Sequence, residues 1–407
     1  MANRDRIGAR VAALRKTRGW TARELARRAQ VSYSLLAKAE TGAVPASPSF
    51  IGAVARALGV DVTRITGQPY AEPVSGTALQ TLIEPLRRAL LAYDLPGPAE
   101  VRPRPPGALR AEVAALSLLG RHARYVQLSH RLPGLLDELK QAIDTAGAQH
   151  RPALYALLAE AYGGIAGLTH QLGYGDLRAL TLERIDWAAR QSGDPLRVAR
   201  TQWSRGASLL GAGAYDEGLA LMERTRGELG PDPARLDEAG RSVYGSLHLR
   251  SAVLAARSGR RSLADAHLAE AAGVAATITG ETGPPGPNHY GLEFGAANVA
   301  LHHVSAAVEL ADGTLAVTRA REVERVGHLG RLPAVRVGHY HIEVARAWLY
   351  HGDRHRALSS LRRARRVAPQ QARYHPMVRD TLQAIAHAEP RPSEELRSFA
   401  AWLGIDS

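Results

Sequence analysis

Apolar residues recur every three or four positions along the first 66 residues, and this spacing predicts amphipathic helices. Ile7, Val11 and Leu14 share one face of a first helix, and further sets with the same spacing follow it. Gly42 and Gly59 come directly after two of these sets, where a glycine commonly ends a helix. The pattern predicts an N-terminal domain of five helices.

The stretch TARELARRAQVSYSLLAKAETG predicts two short helices separated by a tight polar break. Thr21 and Glu24 have the spacing of a capping box, in which each side chain accepts a hydrogen bond from the other residue's backbone amide. Ser32 is a candidate N-cap for the second helix. Two short helices joined by such a turn make the helix-turn-helix arrangement.

From Ala108 onward the chain repeats a pattern of helix, short glycine break and helix. Three copies begin at Gly213, Gly259 and Gly352, and a less regular copy begins at His303. In each clear copy a small residue follows the glycine by five positions and an apolar residue comes four positions later, while the preceding helix carries another small residue. The small residues after the glycine are Gly218, Ala264 and Ala357, and the apolar residues are Met222, Leu268 and Leu361. The small residues of the preceding helices are Gly206, Ala252 and Ala345. Because small residues let paired helices approach closely, the pattern predicts an α-solenoid with a concave face, with an alanine-rich helical bundle as the alternative.

Two proline-rich stretches, TGQPYAEPVSG and DLPGPAEVRPRPPG, flank a short predicted helix between these regions. Proline cannot continue a helix, so both stretches mark boundaries. We therefore expect a DNA-binding domain at residues 1–67, a proline-rich linker with a short helix at 68–107, and a helical-repeat domain at 108–407. The linker is expected to allow motion between the two bodies.

Composition agrees with an all-α fold, because alanine and leucine dominate and aromatic residues make up only 5 % of the chain. The formal net charge of +13 raises nucleic acid as a partner. A large arginine excess is also typical of GC-rich coding, so the distribution of charge is more informative than its total. Residues 1–66 hold 12 Lys and Arg residues against four Asp and Glu, which makes the N-terminal domain the electropositive end.

Several kinds of chemistry are excluded or unsupported. The chain has no cysteine, which excludes disulfides and cysteine–zinc sites. The pairs His339/His341 and His302/His303 lack the i,i+4 spacing of shared ligands on a helix. Neither a phosphate-binding glycine loop nor a dinucleotide fingerprint is present, so we expect no enzyme activity, metal or cofactor. The charged start MANRDRIGAR and the lack of a long apolar run predict a cytoplasmic protein that does not contact membranes.

The segment LRKTRGWTARELARRAQVSYSLLAKAETG, with the later ARALGV, resembles the xenobiotic-response-element family of phage-repressor-like helix-turn-helix regulators. The resemblance implies that the helix from Ser32 to Thr41 enters the DNA major groove and that dimers bind two half-sites. Many relatives carry a glutamine where this chain has Ala22, so that contact is lost or is supplied by Arg23. Arg15 and Glu40 match a pair that holds the fold. The implied DNA-binding residues are Thr21, Ala22, Arg23, Ser32, Tyr33, Ser34, Ala37 and Lys38.

The repeats resemble the tetratricopeptide repeat, a helix–turn–helix unit of 34 residues, and Pro369 closes the copy that matches best. A helix-turn-helix domain joined to such a solenoid resembles the peptide-pheromone receptors of Gram-positive bacteria and related actinobacterial regulators, which serve quorum sensing. That resemblance implies a ligand in the groove that alters dimer geometry and hence DNA affinity.

Asn298 lies inside an apolar helix, and its side-chain amide could pair with an extended peptide; a cap for its own helix is the alternative. Counting along the repeats places six further residues near the groove, for each of which a solvated or packing role is the alternative. The candidate ligand-binding residues are Arg200, Trp203, Arg250, Asn298, His302, His339 and Arg346. The insertion TGETGPPGPNHYG is either a lid over the groove or a surface loop.

These observations predict a homodimeric, sequence-specific transcriptional regulator that senses a peptide or small signalling ligand. The alternative is a DNA-binding adaptor whose solenoid scaffolds a protein partner and takes no small ligand. The sequence leaves open the operator, the identity of the signal, and whether binding represses or activates.

Overall fold

A computed structural model describes residues 7–66, 77–172, 174–278, 289–387, 389 and 393–405. These residues form 21 α-helices and no strand, which confirms the predicted all-α fold of a small helical domain followed by a helical solenoid. Most of the first proline-rich stretch, residues 67–76, and most of the predicted lid, residues 279–288, lie outside the described residues. No helix in the described ranges combines the length and apolar character that a membrane span requires.

The first domain contains α1 (Ile7–Thr17), α2 (Ala22–Arg28), α3 (Tyr33–Thr41), α4 (Pro48–Leu58) and α5 (Val62–Thr66). The next helices are α6 (Thr77–Leu91), α7 (Pro106–Arg121), α8 (Tyr125–Thr145), α9 (Arg151–Leu172), α10 (Gly175–Gln191), α11 (Pro195–Ala212), α12 (Tyr215–Leu229), α13 (Glu238–Arg257) and α14 (Arg261–Ala276). The last are α15 (Ala296–Glu309), α16 (Gly313–Val326), α17 (Ala334–His351), α18 (Arg354–Val367), α19 (Pro369–Tyr374), α20 (Pro376–His387) and α21 (Glu394–Leu403).

The predicted apolar faces of the first domain meet in one core. Leu25, Leu36, Val54 and Leu58 are fully buried there, while Val31 packs at its edge. Helices α1 and α3 approach very closely, because Gly8 faces the backbone of α3 directly. The core therefore fixes α3 against α1 and α2.

Local caps set the ends of α2 and α3. The Thr21 hydroxyl accepts a hydrogen bond from the Glu24 amide at 3.1 Å, and the Ser32 hydroxyl accepts one from the Leu35 amide at 3.1 Å. The reciprocal half of the predicted capping box is wrong, since the Glu24 carboxylate accepts from Arg28, at 2.9 Å, instead of from the Thr21 amide. Arginine offers a charged partner one helical turn away, which a backbone amide cannot match.

The predicted pair between Arg15 and Glu40 is present and structural. The Arg15 guanidinium donates to both carboxylate oxygens of Glu40, at 2.7 and 2.9 Å, and a third bond reaches the Trp20 carbonyl at 2.9 Å. Both side chains are largely buried. The bidentate pair ties α1 to the end of α3.

The second body consists of helical hairpins stacked along the chain. Its paired helices are α9 with α10, α11 with α12, α13 with α14, α15 with α16, and α17 with α18. The first helices of successive hairpins from α11 to α17 also contact each other and form an inner layer. Gly218 packs so close to the next hairpin that an added Cβ would lie 2.7 Å from Leu254 Cδ2. This is the close approach that the small residues predicted.

The two ends of the solenoid meet. Helices α7 and α9 contact α17 and α19, and Ala368 lies in the same core as the first hairpins. Arg121 pairs with Glu293 at 2.7 Å, and the Val126 amide donates to Gln370 at 3.2 Å. The inner layer is therefore enclosed by a ring of helices.

Helix α6 lies inside the predicted linker and packs against α8 and α10. Leu86 and Leu90 are fully buried in the core of the first hairpins. The Leu90 carbonyl also accepts a hydrogen bond from Arg184 at 3.1 Å. The described part of this segment is thus joined to the solenoid, while the two predicted domain boundaries, after residues 67 and 107, stay predictions.

The first domain contacts the solenoid at the turn between α11 and α12. Arg56 on α4 donates to the Gly213 carbonyl at 2.6 Å, and its guanidinium lies 5.1 Å from the Tyr215 ring centroid. Gly213 ends α11 with a left-handed φ of 76°, which suits a glycine. The end of α11 is therefore held against α4.

Candidate functional site

Helix α3 presents the predicted base-reading residues on an open surface. Tyr33, Ser34 and Lys38 are exposed, and Ala37 is half-buried between them. No ion pair joins Lys38 to any acidic residue in the described part of the chain, so its ammonium is available to a partner. Lysine and serine can donate to base edges, and an aromatic ring can pack on a thymine methyl group.

Helix α2 supplies the remaining predicted residues at its N-terminal end. Thr21 and Arg23 are exposed and Ala22 is half-buried, while Ser32 is exposed at the start of α3. The Arg23 guanidinium lies 5.5 Å from the centroid of the Tyr33 ring, which joins the two helices into one surface. Unpaired amides at a helix N-terminus favour a phosphate. The eight predicted DNA-binding positions thus belong to the adjoining helices α2 and α3 and to the residues that begin them, and all of them are exposed or half-buried.

Residues 6–65 match the family model of a helix-turn-helix domain. The match spans α1 to α5 and leaves the rest of the chain uncovered. It supports a DNA-binding regulator of transcription, and it fits a regulator better than an enzyme. A search of curated proteins found no match to this chain.

The seven predicted ligand-binding residues lie on the inner layer of the solenoid. Arg200 and Trp203 belong to α11, Arg250 to α13, Asn298 and His302 to α15, and His339 and Arg346 to α17. The structure divides them into two groups, one around Trp203 and the other around Glu309 and Glu343.

Trp203 anchors the first group. Its indole nitrogen donates to the Ser246 carbonyl at 3.1 Å, which fixes the ring between α11 and α13. The guanidinium groups of Arg250 and Arg200 lie 4.2 and 5.4 Å from the ring centroid. The ring thus holds two cations in place through cation–π contacts.

Asn298 does not cap its own helix. Its amide oxygen accepts a hydrogen bond from Arg336 at 2.6 Å, and its amide nitrogen donates to the Leu292 carbonyl at 3.4 Å. His302 donates its Nδ1 proton to the Asn298 carbonyl at 2.8 Å. Asn298 therefore supports Arg336, which the sequence analysis missed.

The second group is internally neutralised. Glu309 accepts two bonds of 2.9 Å from Arg257 and one of 3.2 Å from Arg346. Glu343 pairs with His339 at 3.5 Å and accepts a bond from the Ser305 hydroxyl. Arg346 and His339 thus have carboxylate partners within the protein.

Two further arginines face the first group. The sequence does contain a pattern that could have predicted Arg336. This residue forms a polar stripe at helical spacing along an apolar helix, together with His339, Glu343 and Arg346. Arg178 lies on α10, the second helix of its hairpin, where the repeat pattern predicts no inward residue. It donates to His170 at 3.2 Å and to the Ser204 carbonyl at 3.4 Å.

Burial and the repulsion between neighbouring cations lower the pKa values of several side chains in this cluster. Burial, then Arg178 and Arg336, lower the pKa of Arg250 to about 9. Burial is also the main cause that lowers the pKa of Arg178 and of Arg200 to about 10. The pKa of His302 falls to about 3 because of burial and the nearby Arg336, so this imidazole is neutral at neutral pH.

Proposed function

We propose that this protein is a sequence-specific transcriptional regulator that binds operator DNA as a homodimer across two half-sites. The observation that carries the proposal is the open α2–α3 surface within a matched helix-turn-helix domain. Tyr33, Ser34 and Lys38 would read base edges, while the N-terminal end of α2 would meet a phosphate. Cytoplasmic location and an actinobacterial type of regulator belong to the same proposal.

The solenoid, which resembles tetratricopeptide repeats, would sense a peptide or small signalling ligand. The position of the inner arginines supports a ligand over a protein scaffold, because they lie among the inner helices of a solenoid whose ends contact each other. Helix α11 joins this interior to α4, since it carries Arg200 near one end and is held by Arg56 at Gly213. A ligand that favours one position of α11 would shift the population of DNA-binding arrangements.

Selection of bound sequences from a random DNA pool tests the DNA-binding half of the proposal. The purified full chain is compared with a Tyr33→Ala, Lys38→Ala double variant, whose changes are at exposed positions. Arg224→Ala on the exposed face of α12 is the control, because it removes one exposed positive charge outside the helix-turn-helix domain. We expect a two-half-site motif, with affinity about tenfold or more lower in the double variant.

A single half-site would remove the dimer from the proposal. Equal affinities for wild type and the double variant would show that α3 does not read bases. Loss of affinity in Arg224→Ala as large as in the double variant would indicate a general charge effect instead of base reading.

A further inference from the structure

The arginines of the inner layer form two groups, which differ in whether a carboxylate pairs with them. Around Glu309, each arginine has a carboxylate partner at hydrogen-bond distance. Around Trp203, the four arginines Arg178, Arg200, Arg250 and Arg336 form no salt bridge with any carboxylate in the described part of the chain. The nearest acidic groups already have other partners: Glu160 lies beside Arg197, Glu293 pairs with Arg121, and Glu343 pairs with His339.

The four guanidinium groups are held by neutral groups instead. Carbonyl, hydroxyl, imidazole and amide groups accept hydrogen bonds from some of the guanidinium N–H groups. Trp203 makes cation–π contacts with two of the four arginines. The buried Nε atoms of Arg178, Arg250 and Arg336 have no hydrogen-bond partner. Arg178, Arg336 and Arg200 also lie close enough to Arg250 to lower its pKa, so the four guanidinium groups form one cluster with unused donors.

Such an arrangement is costly unless an anion completes it. Half-buried cations without counter-charges repel each other and lose hydration. Arginine forks match the geometry of carboxylate and phosphate oxygens, and paired forks favour a compact group with several oxygens. Because the guanidinium groups lie among the inner helices of a solenoid whose ends contact each other, we expect the anion to be a small solute or a short flexible chain.

We propose that Arg178, Arg200, Arg250 and Arg336 form a binding site for a ligand that carries a compact oxyanion group of charge −2 or more. This inference rests on the proposed sensing function and names the class of its ligand. A phosphate group and a pair of closely spaced carboxylates share this chemistry. Trp203 and Asn298 are then positioning residues for the arginines.

Thermal unfolding of the full chain tests the site. Pyrophosphate and citrate serve as probes in a phosphate-free buffer, with sodium chloride of matched ionic strength as the reference. The variants are Arg250→Gln and Arg178→Gln. Arg235→Gln is the control, because that arginine is almost fully exposed and lies outside the cluster.

At a probe concentration about 100 times Kd, we expect the Tm of the wild type and of Arg235→Gln to rise by about 3–5 °C. The two cluster variants should show little or no rise. In the chloride reference they should be as stable as the wild type or more stable, since each removes a half-buried cation that has no carboxylate partner. The probe that gives the larger rise identifies a phosphate or a carboxylate source.

The inference is overturned if neither probe raises the Tm of the wild type, or if both cluster variants respond as the wild type does. It is also overturned if both variants are less stable than the wild type in chloride, because the arginines would then be structural. The affinity for the selected operator is measured with and without the active probe. A Tm rise without a change in DNA affinity would keep the anion site and remove its role in sensing, whereas an unchanged Tm leaves the DNA-binding proposal intact.

Discussion

Replacing Gly8 with alanine tests how closely α1 and α3 pack behind the proposed DNA surface. A Cβ at this position would lie 2.0 Å from the carbonyl oxygen of Ala39. Ordinary contact between such atoms is about 3.5 Å, so the two helices would have to separate by more than about 1 Å. The obstacle is backbone, which cannot rotate away as a side-chain tip could.

Two effects of opposite sign determine how Gly8→Ala changes the free energy of unfolding of the first domain. Alanine in place of a helical glycine stabilises a helix by about 0.5–1 kcal/mol. Overpacking a close contact costs about 1–3 kcal/mol. We therefore expect Gly8→Ala to reduce the stability of the first domain by about 1–2 kcal/mol. Because α3 moves relative to α2, operator affinity should fall as well.

Hydrogen exchange in the full chain measures this effect locally, through the amides of α1 and α3. Gly163→Ala in the middle of α9 is the matched control, since an added Cβ there meets no atom within 4 Å. The control should slow exchange in α9, with a gain of about 0.4–1 kcal/mol. If exchange in α1 and α3 of Gly8→Ala is unchanged or slower, the close approach of these helices is refuted.

Three further predictions concern packing, capping and pH. Glu309→Gln removes the carboxylate that pairs with the buried Arg257 and Arg346, and urea unfolding should show a loss of about 3–5 kcal/mol. Glu324→Gln, which breaks an exposed pair on the surface, should cost less than about 1 kcal/mol in the same assay. Ser47 caps α4 by accepting from the Phe50 amide at 3.1 Å, so Ser47→Ala should cost about 1 kcal/mol, seen as faster exchange in α4. His302 has a folded pKa of about 3 against an ordinary 6.5, so its contribution to stability is complete above pH 6.5 and is lost as pH falls toward 3. His302→Gln should therefore make the decline of Tm between pH 6.5 and 3 less steep. An unaltered decline would contradict the low pKa of His302.

The features that could be predicted from sequence depend on neighbours in the chain. Thr21 and Ser32 cap their helices with amides three residues away, so their role is visible in the local pattern. The exposed stripe of α3 also follows from helical spacing alone. Glu24 shows the limit, since two partners lie within its reach and the choice of Arg28 depends on energy.

The features that could not be predicted depend on partners distant in sequence. Asn298 is bound by Arg336, 38 residues away, and this pairing exists only because α15 and α17 are neighbours. Arg178 faces the interior from the second helix of its hairpin, against the repeat pattern. The meeting of the solenoid's ends arises from small rotations summed over all the hairpins, which no single repeat encodes.

The contact between the ends of the solenoid has a consequence for its cooperativity. In an open array each terminal repeat has one neighbour, so the ends fray and unfolding proceeds inward. Here the first hairpins have a second neighbour, because α7 and α9 contact α17 and α19. Opening either terminus therefore removes contacts from the other, and the nearest-neighbour chain becomes a closed loop. We therefore expect the hairpins to unfold as one cooperative unit, so that a destabilising substitution in the last helices also lowers the stability of the first hairpins.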